Sequence, residues 1–247
     1  KWRFCVDYRR LNLSTEKESW PLPRIRDMID RIGGHKASHY GVLDLTKEYY
    51  QAPLSEASKR LSAFITPNGV YEWNRVAMGL KSAPAYFQQA MATEVLGDLL
   101  YRICEIYLDD IIVFGATEEE FHDNLRTILQ RLQDYNIYAN PDKCTFGVEE
   151  IEYVGHTISK KGVKFSREKL QRVVEVELPK KAKGLKSFLG LANYFRSHVR
   201  NHSSLAVPLQ AMITPYHKNN VLHWTPELIQ AFNDLKKAIN DIPELFF

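Results

Sequence analysis

The stretch ICEIYLDDIIVF, residues 103–114, decides the fold of this chain. Two apolar runs meet at the corner Leu108-Asp109-Asp110, a pattern that predicts a buried β-hairpin. Aspartate is a common turn residue, so a purely structural role for the two carboxylates is one interpretation. The surrounding sequence favours another, because it supplies a further carboxylate in an apolar context.

That third carboxylate is Asp44, which lies inside the apolar run YGVLDL, residues 40–45. The run predicts a buried strand. An unpaired carboxylate is costly to bury, so we expect Asp44 to be paired, hydrogen-bonded or bound to a metal. If Asp44 faces Asp109 and Asp110, the three could hold two Mg²⁺ ions about 3.5–4 Å apart, an arrangement that supports in-line phosphoryl transfer.

Helices and short strands are expected on both sides of these segments. The sequence predicts an extended entry and short helix over 20–34, a hairpin over 61–75, a helix over 83–96, a helix opened by a capping box at Thr117, and short strands over 151–165. Beyond Ser166 it predicts only helices, over 167–177, 182–199, 203–213 and 226–240. The pattern indicates an α+β chain with a domain boundary near 160–165.

The composition is that of a globular protein. Of 247 residues, 45% are hydrophobic and 26% charged, which excludes a disordered tail, a collagen-like fibre and a disulfide-dense scaffold. The three widely spaced cysteines favour a reducing compartment. No apolar run approaches the about 18 residues of a membrane span, so no membrane partner is expected. The opening KWRF, without an initiating methionine, suggests an excised fragment.

Charge is distributed unevenly along the chain. Residues 160–200 contain 12 Lys and Arg against three acids, a net +9, whereas the whole chain carries only +3. A basic segment next to a mildly acidic one suggests a phosphate-binding surface beside a metal-holding centre. A solvated basic helix face is the alternative explanation.

Taken together, these segments resemble the reverse transcriptase of Gypsy-type (Metaviridae) LTR retrotransposons and, more distantly, retroviral reverse transcriptases. Nine motifs occur in the family's order along nearly the whole chain. They are VDYRRLN (6–12, preceded by Trp2-Arg3), VLDLTKEYYQAPL (42–54), SAFITPNGVYEW (62–73), MGLKSAPAYFQQAM (78–91), IYLDDIIVF (106–114), NPDKCTFG (140–147), EYVGHTIS (152–159), KSFLGLANYFR (186–196) and WTPELIQAFNDLKKAI (224–239). Nine ordered matches make chance resemblance negligible.

The resemblance implies an α+β right-hand polymerase: fingers, a palm with an antiparallel sheet and packed helices, and a helical thumb. On that basis the fingers comprise 1–19 and 52–82 and are N-terminally truncated, the palm comprises 20–51 and 83–160, and the thumb comprises 161–213. Residues 214–247 would begin a connection toward an RNase H domain that is absent from the chain.

The resemblance also implies a catalytic site and its metals. Asp44, Asp109 and Asp110 match the family's catalytic aspartates. Together with the backbone carbonyl of Leu45 they are the implied ligands of two Mg²⁺ ions, for which Mn²⁺ is a possible substitute.

Nucleotide-binding residues are implied at five positions. Arg3 matches the residue that clamps the triphosphate, which suits a guanidinium fork. Tyr49 matches the aromatic gate under the sugar, although simple core packing is its alternative. Gly79, Lys81 and Lys143 complete the set. Glu48 departs from the family, which usually has a small residue just before the gate tyrosine.

Template and primer contacts are implied along the rest of the chain. They are Arg9, Tyr107, the primer-grip residues Tyr153, Val154, Gly155 and His156, and the thumb residues Lys183 and Lys186. A thumb grips a duplex through phosphates and A-like shape without reading bases. Phe188, Leu189, Leu191, Tyr194 and Phe195 are expected in the thumb core.

The implied function is RNA-directed DNA synthesis: extension of a primer with dNTPs on an RNA or DNA template during retrotransposon replication. The implied partners are the template-primer and the RNase H and integrase domains of a parent Pol polyprotein, within a cytoplasmic virus-like particle. The sequence does not determine the oligomeric state.

Three alternatives remain open at this stage. An RNA-dependent RNA polymerase shares the palm, but Tyr49 argues against it because such enzymes need room for the ribose hydroxyl. A non-catalytic nucleic-acid-binding remnant is the second, since the upstream fingers strand with its triphosphate-binding lysine is not in the sequence. A protein-interaction module is the third, and the three intact aspartates argue against it.

Overall fold

The computed structural model describes residues 4–16, 19–196, 198–214 and 220–243. Over this part of the chain two compact units are present. The first comprises the described residues up to Val154 together with Ile158–Gly162, and the second comprises Gly155–Thr157 and the described residues from Val163 onward. The finer division into fingers, palm, thumb and connection stays a prediction.

The strands are short, and most belong to the first unit. They are β1 (His39–Asp44), β2 (Phe64–Thr66), β3 (Gly69–Tyr71), β4 (Cys104–Tyr107), β5 (Asp110–Gly115), β6 (Thr145–Val148), β7 (Glu150–Tyr153), β8 (His156–Ser159) and β9 (Gly162–Phe165). The main sheet has the order β4-β5-β1-β6, β2 and β3 form a separate hairpin, and β7-β8-β9 form a third sheet.

The helices are distributed over both units. They are α1 (Arg9–Ser14), α2 (Ile25–Gly34), α3 (Glu56–Leu61), α4 (Ala83–Ala90), α5 (Glu118–Asp134), α6 (Arg167–Val174), α7 (Ala182–Asn193), α8 (His202–Ala211) and α9 (Pro226–Asn240). Among the described residues, no helix is both long and apolar enough to cross a membrane.

The register of the main sheet brings two of the predicted aspartates together. β5 is central and pairs antiparallel with both β4 and β1. The β1–β5 register runs from His39 opposite Gly115 to Asp44 opposite Asp110. The apolar residues between these ends, such as Leu43 and Ile111, are fully buried. The two carboxylates therefore lie at the end of the sheet where its apolar core stops.

Two glycines allow α5 to approach this sheet closely. A Cβ at Gly115 would lie 2.5 Å from the backbone nitrogen of Phe121, and one at Gly41 would lie 2.9 Å from the Phe121 ring. Phe121 is fully buried. The N-terminus of α5 is capped as expected, since the Thr117 hydroxyl accepts from Glu120 N–H at 3.2 Å.

Most of the sequence-based elements are confirmed, with informative differences. The predicted helix over 83–96 is α-helical only to Ala90, and residues Met91–Val95 form a π-helical turn. Leu129 follows Phe121 and Leu125 at i+4 spacing on α5, which predicts burial, but it is 45% exposed. Side chains four residues apart drift gradually around a helix, so Leu129 lies at the margin of the apolar stripe and no longer faces the sheet.

The second unit has its own aromatic core. Phe188 packs on Phe232 with ring centroids 4.4 Å apart, and Phe195 is fully buried. Tyr194 differs from expectation, because it is 39% exposed rather than in the core. The predicted helix over 182–199 ends as α7 at Asn193, so Tyr194 lies just beyond its last turn.

Candidate functional site

The turn between β4 and β5 carries the site. Tyr107 lies opposite Asp110 in the register, so only Leu108 and Asp109 make the connection. Leu108 has a φ of +56°, in the left-handed region. A residue with a side chain costs about 1–3 kcal/mol there and persists only when its surroundings hold it. Such backbone strain is concentrated at functional sites.

Three carboxylates converge at this turn. One oxygen from each of Asp44, Asp109 and Asp110 lies within 4.8 Å of the others. Leu45 N–H donates to the Asp109 carbonyl at 3.0 Å, which ties the end of β1 to the turn. The expected close approach of Asp44 and Asp109 is confirmed. Oxygen-only donors at this spacing suit Mg²⁺ or Mn²⁺.

Electrostatic repulsion within the cluster is visible at Asp110. Burial raises the pKa of its carboxyl to about 6, and the neighbouring carboxylates of Asp109 and Asp44 add to the rise. Lys143 opposes it. Its ammonium donates to Asp44 Oδ2 at 2.8 Å, and this hydrogen bond raises the pKa of Lys143. The cluster is thus an anionic site that a cation stabilises.

In the metal-free protein, we expect Asp110→Asn to increase the free energy of unfolding at pH 8 by about 1–2 kcal/mol. The pKa of Asp110 is about 6 when folded, against an ordinary value of 3.8. The folded state therefore binds more protons, and wild-type stability falls as the pH rises through this interval. The gain should fall to about a third of its pH 8 value at pH 4.5, as measured by urea denaturation with EDTA.

Asp98→Asn is the opposing control for that measurement. Arg131 lowers the pKa of Asp98 through a hydrogen bond, so neutralising Asp98 removes a favourable interaction and should reduce stability at pH 8. An Asp110→Asn gain of equal size at both pH values would contradict the electrostatic explanation.

The predicted nucleotide loop is held by the N-terminal segment. Gly79 has a φ of +92°, which favours glycine. The Asn12 side-chain amide donates to Gly79 O at 2.7 Å and accepts from Lys81 N–H at 2.8 Å. The Lys81 ammonium donates to the carbonyls of Asn12 and Thr15, at 3.3 and 2.9 Å. Lys81 therefore helps to anchor the loop.

Tyr49 packs against the apolar core of the first unit. It belongs to a 3₁₀ turn, Glu48–Gln51, and is half-buried. Its ring meets Phe87 of α4 edge-on, with centroids 6.0 Å apart. Arg3 and the side chain of Glu48 lie outside the described residues.

The predicted primer-grip residues fall in both units. In the first, Tyr153 is 3% exposed, its hydroxyl donates to Asp110 O at 3.2 Å, and Val154 has a φ of +46°. In the second, the His156 ring packs against Phe165 in a tilted arrangement, with ring centroids 4.8 Å apart. Gly155 has a φ of +75°, and a Cβ there would lie 1.9 Å from the Lys169 ammonium. The positive φ favours glycine at this position, and a larger residue would have to displace the end of the Lys169 side chain.

The other residues expected to contact template or primer are exposed or half-buried. Arg9 is exposed and forms an ion pair with Asp7 at 2.6 Å, a contact of small energetic value in solvent. Tyr107 is half-buried at the end of β4. Lys183 and Lys186 are exposed on α7. Of the 12 basic residues in 160–200, ten are exposed.

A comparison with known protein families decides what kind of protein carries this site. Residues 1–158 match the family described as reverse transcriptase (RNA-dependent DNA polymerase). The chain belongs to the reverse transcriptase family. RNA-directed DNA polymerase activity is the function of that family, and reverse transcriptases generally use divalent metal ions.

Relatives of this reverse transcriptase chain are retrotransposon polyproteins. It is 33% identical to the retrovirus-related Pol polyprotein from transposon 297 of Drosophila melanogaster, over 97% of this chain and 22% of that protein. It is 31% identical to the corresponding polyprotein from transposon gypsy of the same organism, over 95% of this chain and 22% of that protein. The chain thus spans about a fifth of the length of these relatives.

Solved structures share the reverse transcriptase fold. The foamy viral protease-reverse transcriptase dRH in complex with double-stranded DNA superposes with a TM-score of 0.89 at 24% identity, over all of this chain and 42% of that one. The foamy viral protease-reverse transcriptase in complex with an RNA/DNA hybrid gives 0.83 at 22% identity, over 99% and 33%. The predicted α+β polymerase fold is confirmed.

Two residues that hydrogen-bond the loops of this site were not singled out from the sequence. Asn12 bonds the nucleotide loop, and Gln88 bonds the aspartate turn. The sequence did contain a signal for Gln88: it is a polar residue next to Phe87 on the buried face of α4. A buried polar side chain needs partners, and this requirement could have identified it.

Proposed function

We propose that this chain extends a primer with dNTPs on an RNA or DNA template by two-metal-ion phosphoryl transfer. The observation that carries the proposal is the convergence of three carboxylates within 4.8 Å at a strained turn, in a chain of the reverse transcriptase family. A protein-interaction module would gain nothing from concentrating negative charge in a half-buried site.

Asp44, Asp109 and Asp110, with the backbone carbonyl of Leu45, would hold two Mg²⁺ ions, with Mn²⁺ as a substitute. The donor set fits, because carboxylate and carbonyl oxygens are the ligands that these ions prefer. Bound ions would stabilise the attacking and leaving oxygens of the displacement. The end of β1 and the strained turn orient the carboxylates so that binding requires little rearrangement.

Lys143 has a double role in this proposal. Its ammonium neutralises Asp44 in the metal-free site, at 2.8 Å. Its side chain is 61% exposed and flexible, so it can leave Asp44 when cations bind there. It would then face the incoming triphosphate, as would Arg3 and the loop of Gly79 and Lys81.

Tyr49 would act as the sugar gate, because its ring would collide with a 2′-hydroxyl. Removing the ring by Tyr49→Ala is therefore expected to reduce discrimination of dTTP over UTP roughly tenfold or more. The contact of Tyr49 with Phe87 fixes the ring from one side. The measurement is the ratio of kcat/KM for the two nucleotides.

Tyr50→Ala is the matched control, since the neighbouring ring packs on Trp73 at 5.3 Å. Its discrimination should stay within about twofold of wild type. If Tyr49→Ala folds and keeps the wild-type ratio, Tyr49 is a core residue.

Template and primer would be held by phosphate contacts and by the primer-grip turn. Arg9, Tyr107, Val154, Gly155, His156, Lys183 and Lys186 are the proposed contacts. Tyr153 is buried, so it would act by supporting Asp110 through its backbone. The two foamy viral neighbours are complexes with double-stranded DNA and with an RNA/DNA hybrid, which supports a duplex as the partner.

The wider context that we propose is a retrotransposon Pol polyprotein. RNase H and integrase domains would accompany the chain in the parent protein, and replication would take place in a cytoplasmic virus-like particle. The relatives support this setting, because they are Pol polyproteins of transposons.

Primer extension on poly(rA)/oligo(dT) tests the proposed function. We expect dTTP incorporation that requires Mg²⁺ or Mn²⁺ and is lost with EDTA. Tight binding of the hybrid without any extension would instead support the non-catalytic binding remnant. Preferential incorporation of UTP would support an RNA polymerase.

A further inference from the structure

A buried amide side chain lies directly behind the turn that carries Asp109 and Asp110. Gln88 of α4 is 2% exposed. Its Nε2 donates to Ile106 O at 3.3 Å, and its Oε1 accepts from Leu108 N–H at 2.7 Å. Both ends of the amide therefore bond the backbone of the hairpin, one on each side of Tyr107.

These two bonds take the place of a neighbouring strand. β4 is one of the two edge strands of the four-stranded sheet. An isolated bridge between Leu100 and Cys104 covers the start of its outer edge. At the other end, Gln88 bonds the carbonyl before Tyr107 and the N–H after it, as the residue opposite Tyr107 in a parallel pair would. The amide thus satisfies the carbonyl and the N–H that flank Tyr107 on the outer edge of β4.

The bond to Leu108 N–H falls on the strained residue. Leu108 has a φ of +56°, and such a conformation persists only when its surroundings over-determine it. Asp109 follows Leu108 directly, and Asp110 begins β5. A change in the Leu108 backbone would therefore shift the Asp109 carboxylate relative to Asp44.

Packing alone does not explain an amide at this position. Gln88 lies beside Phe87 and near Met91, both buried in the apolar core. A buried amide is unfavourable without hydrogen-bond partners, whereas a methionine would fill a similar volume without that requirement. The hydrogen bonds to the turn are what distinguishes glutamine from an apolar residue here.

We propose that Gln88 is a positioning residue that holds the Leu108 turn so that Asp109 stays within reach of Asp44 and Asp110. Its kinetic consequence rests on the proposed polymerase function. Its consequence for metal affinity does not, since that requires only the three carboxylates.

Gln88→Met tests the proposal, because it preserves the approximate volume and removes both hydrogen bonds. Gln89→Met is the matched control: the same substitution at the next position of α4, where the side chain is half-buried. Gln88→Glu is a second variant that keeps an acceptor for Leu108 N–H but loses the donor to Ile106 O. The full chain is used throughout, with Mn²⁺ alone as the metal probe.

We expect Gln88→Met to lower kcat for extension about 10–100-fold, while duplex affinity and KM for dTTP stay within about twofold. The Mn²⁺ dissociation constant, measured by electron paramagnetic resonance, should rise about tenfold. The Leu108 amide should exchange with solvent faster than in wild type. Gln89→Met should match wild type in each measurement.

A folded Gln88→Met variant with wild-type kcat and Mn²⁺ affinity would overturn the assignment. If Gln88→Met does not fold, Gln88→Glu decides the matter: Leu108 amide protection and Mn²⁺ affinity that are retained together or lost together support the role, and loss of either one without the other refutes it. Failure of the wild-type chain to extend a primer would count against the proposed function alone. The Mn²⁺ and amide-exchange results would still decide the role of Gln88.

Discussion

Replacing Asp109 by Asn is expected to reduce primer extension by at least about 10³-fold while leaving duplex affinity within about twofold. Asp109 lies at the strained turn, within 4.8 Å of the other two carboxylates. Losing one metal-binding charge removes several kcal/mol of transition-state stabilisation, and each about 1.4 kcal/mol corresponds to tenfold in rate. Single-turnover extension and duplex titration are the two measurements.

Asp134→Asn is the control for that substitution, because Asp134 is an exposed residue at the end of α5 whose carboxylate accepts from Gln130 of the same helix. It should extend at the wild-type rate. Extension by a folded Asp109→Asn variant at more than about a tenth of the wild-type rate would exclude Asp109 from the catalytic machinery.

Reversing two charges on α7 is expected to weaken duplex binding about 30–100-fold near 0.1 M salt. The double variant Lys183→Glu/Lys186→Glu removes two exposed positive charges one helical turn apart. If each neutralises a phosphate, the slope of log affinity against log salt should fall by about two, because fewer counterions are released. Titration of a fluorescent hybrid at several salt concentrations measures both quantities.

The double variant Arg24→Glu/Arg26→Glu separates local contact from overall charge. It changes the net charge by the same amount, on exposed residues at the start of α2. Its affinity should stay within about threefold of wild type. Equal losses in the two double variants would mean that α7 has no specific part in duplex binding.

Local patterns were sufficient to predict most of the elements. Apolar runs predicted β1 and the β4–β5 hairpin, and a capping box predicted the start of α5, where the Thr117 hydroxyl accepts from the helix backbone. These features depend on residues within a few positions of each other. The π-helical turn at Met91–Val95 was not predicted, because nothing in local helix propensity distinguishes it from α-helix.

The partners of the site residues could not be predicted in the same way. Lys143 was expected to bind the nucleotide, and in the structure its ammonium donates a hydrogen bond to Asp44, 99 positions away in the chain. Tyr153 was expected to contact the primer, and in the structure its hydroxyl donates to the Asp110 carbonyl, 43 positions away. Sequence motifs identify such residues, but not the atom that each one contacts.

The sequence by itself determined the identity of the three aspartates, the hairpin that carries two of them, and the resemblance that names their chemistry. Only the tertiary structure decided that their oxygens lie within 4.8 Å, that Asp110 is buried enough for its pKa to rise to about 6, and that Gln88 supports the strained turn. The physical reason is the separation along the chain over which each kind of interaction acts. Periodicity and turn chemistry act between neighbours in the chain, whereas desolvation, charge repulsion and buried hydrogen bonds depend on distant segments that only folding brings together.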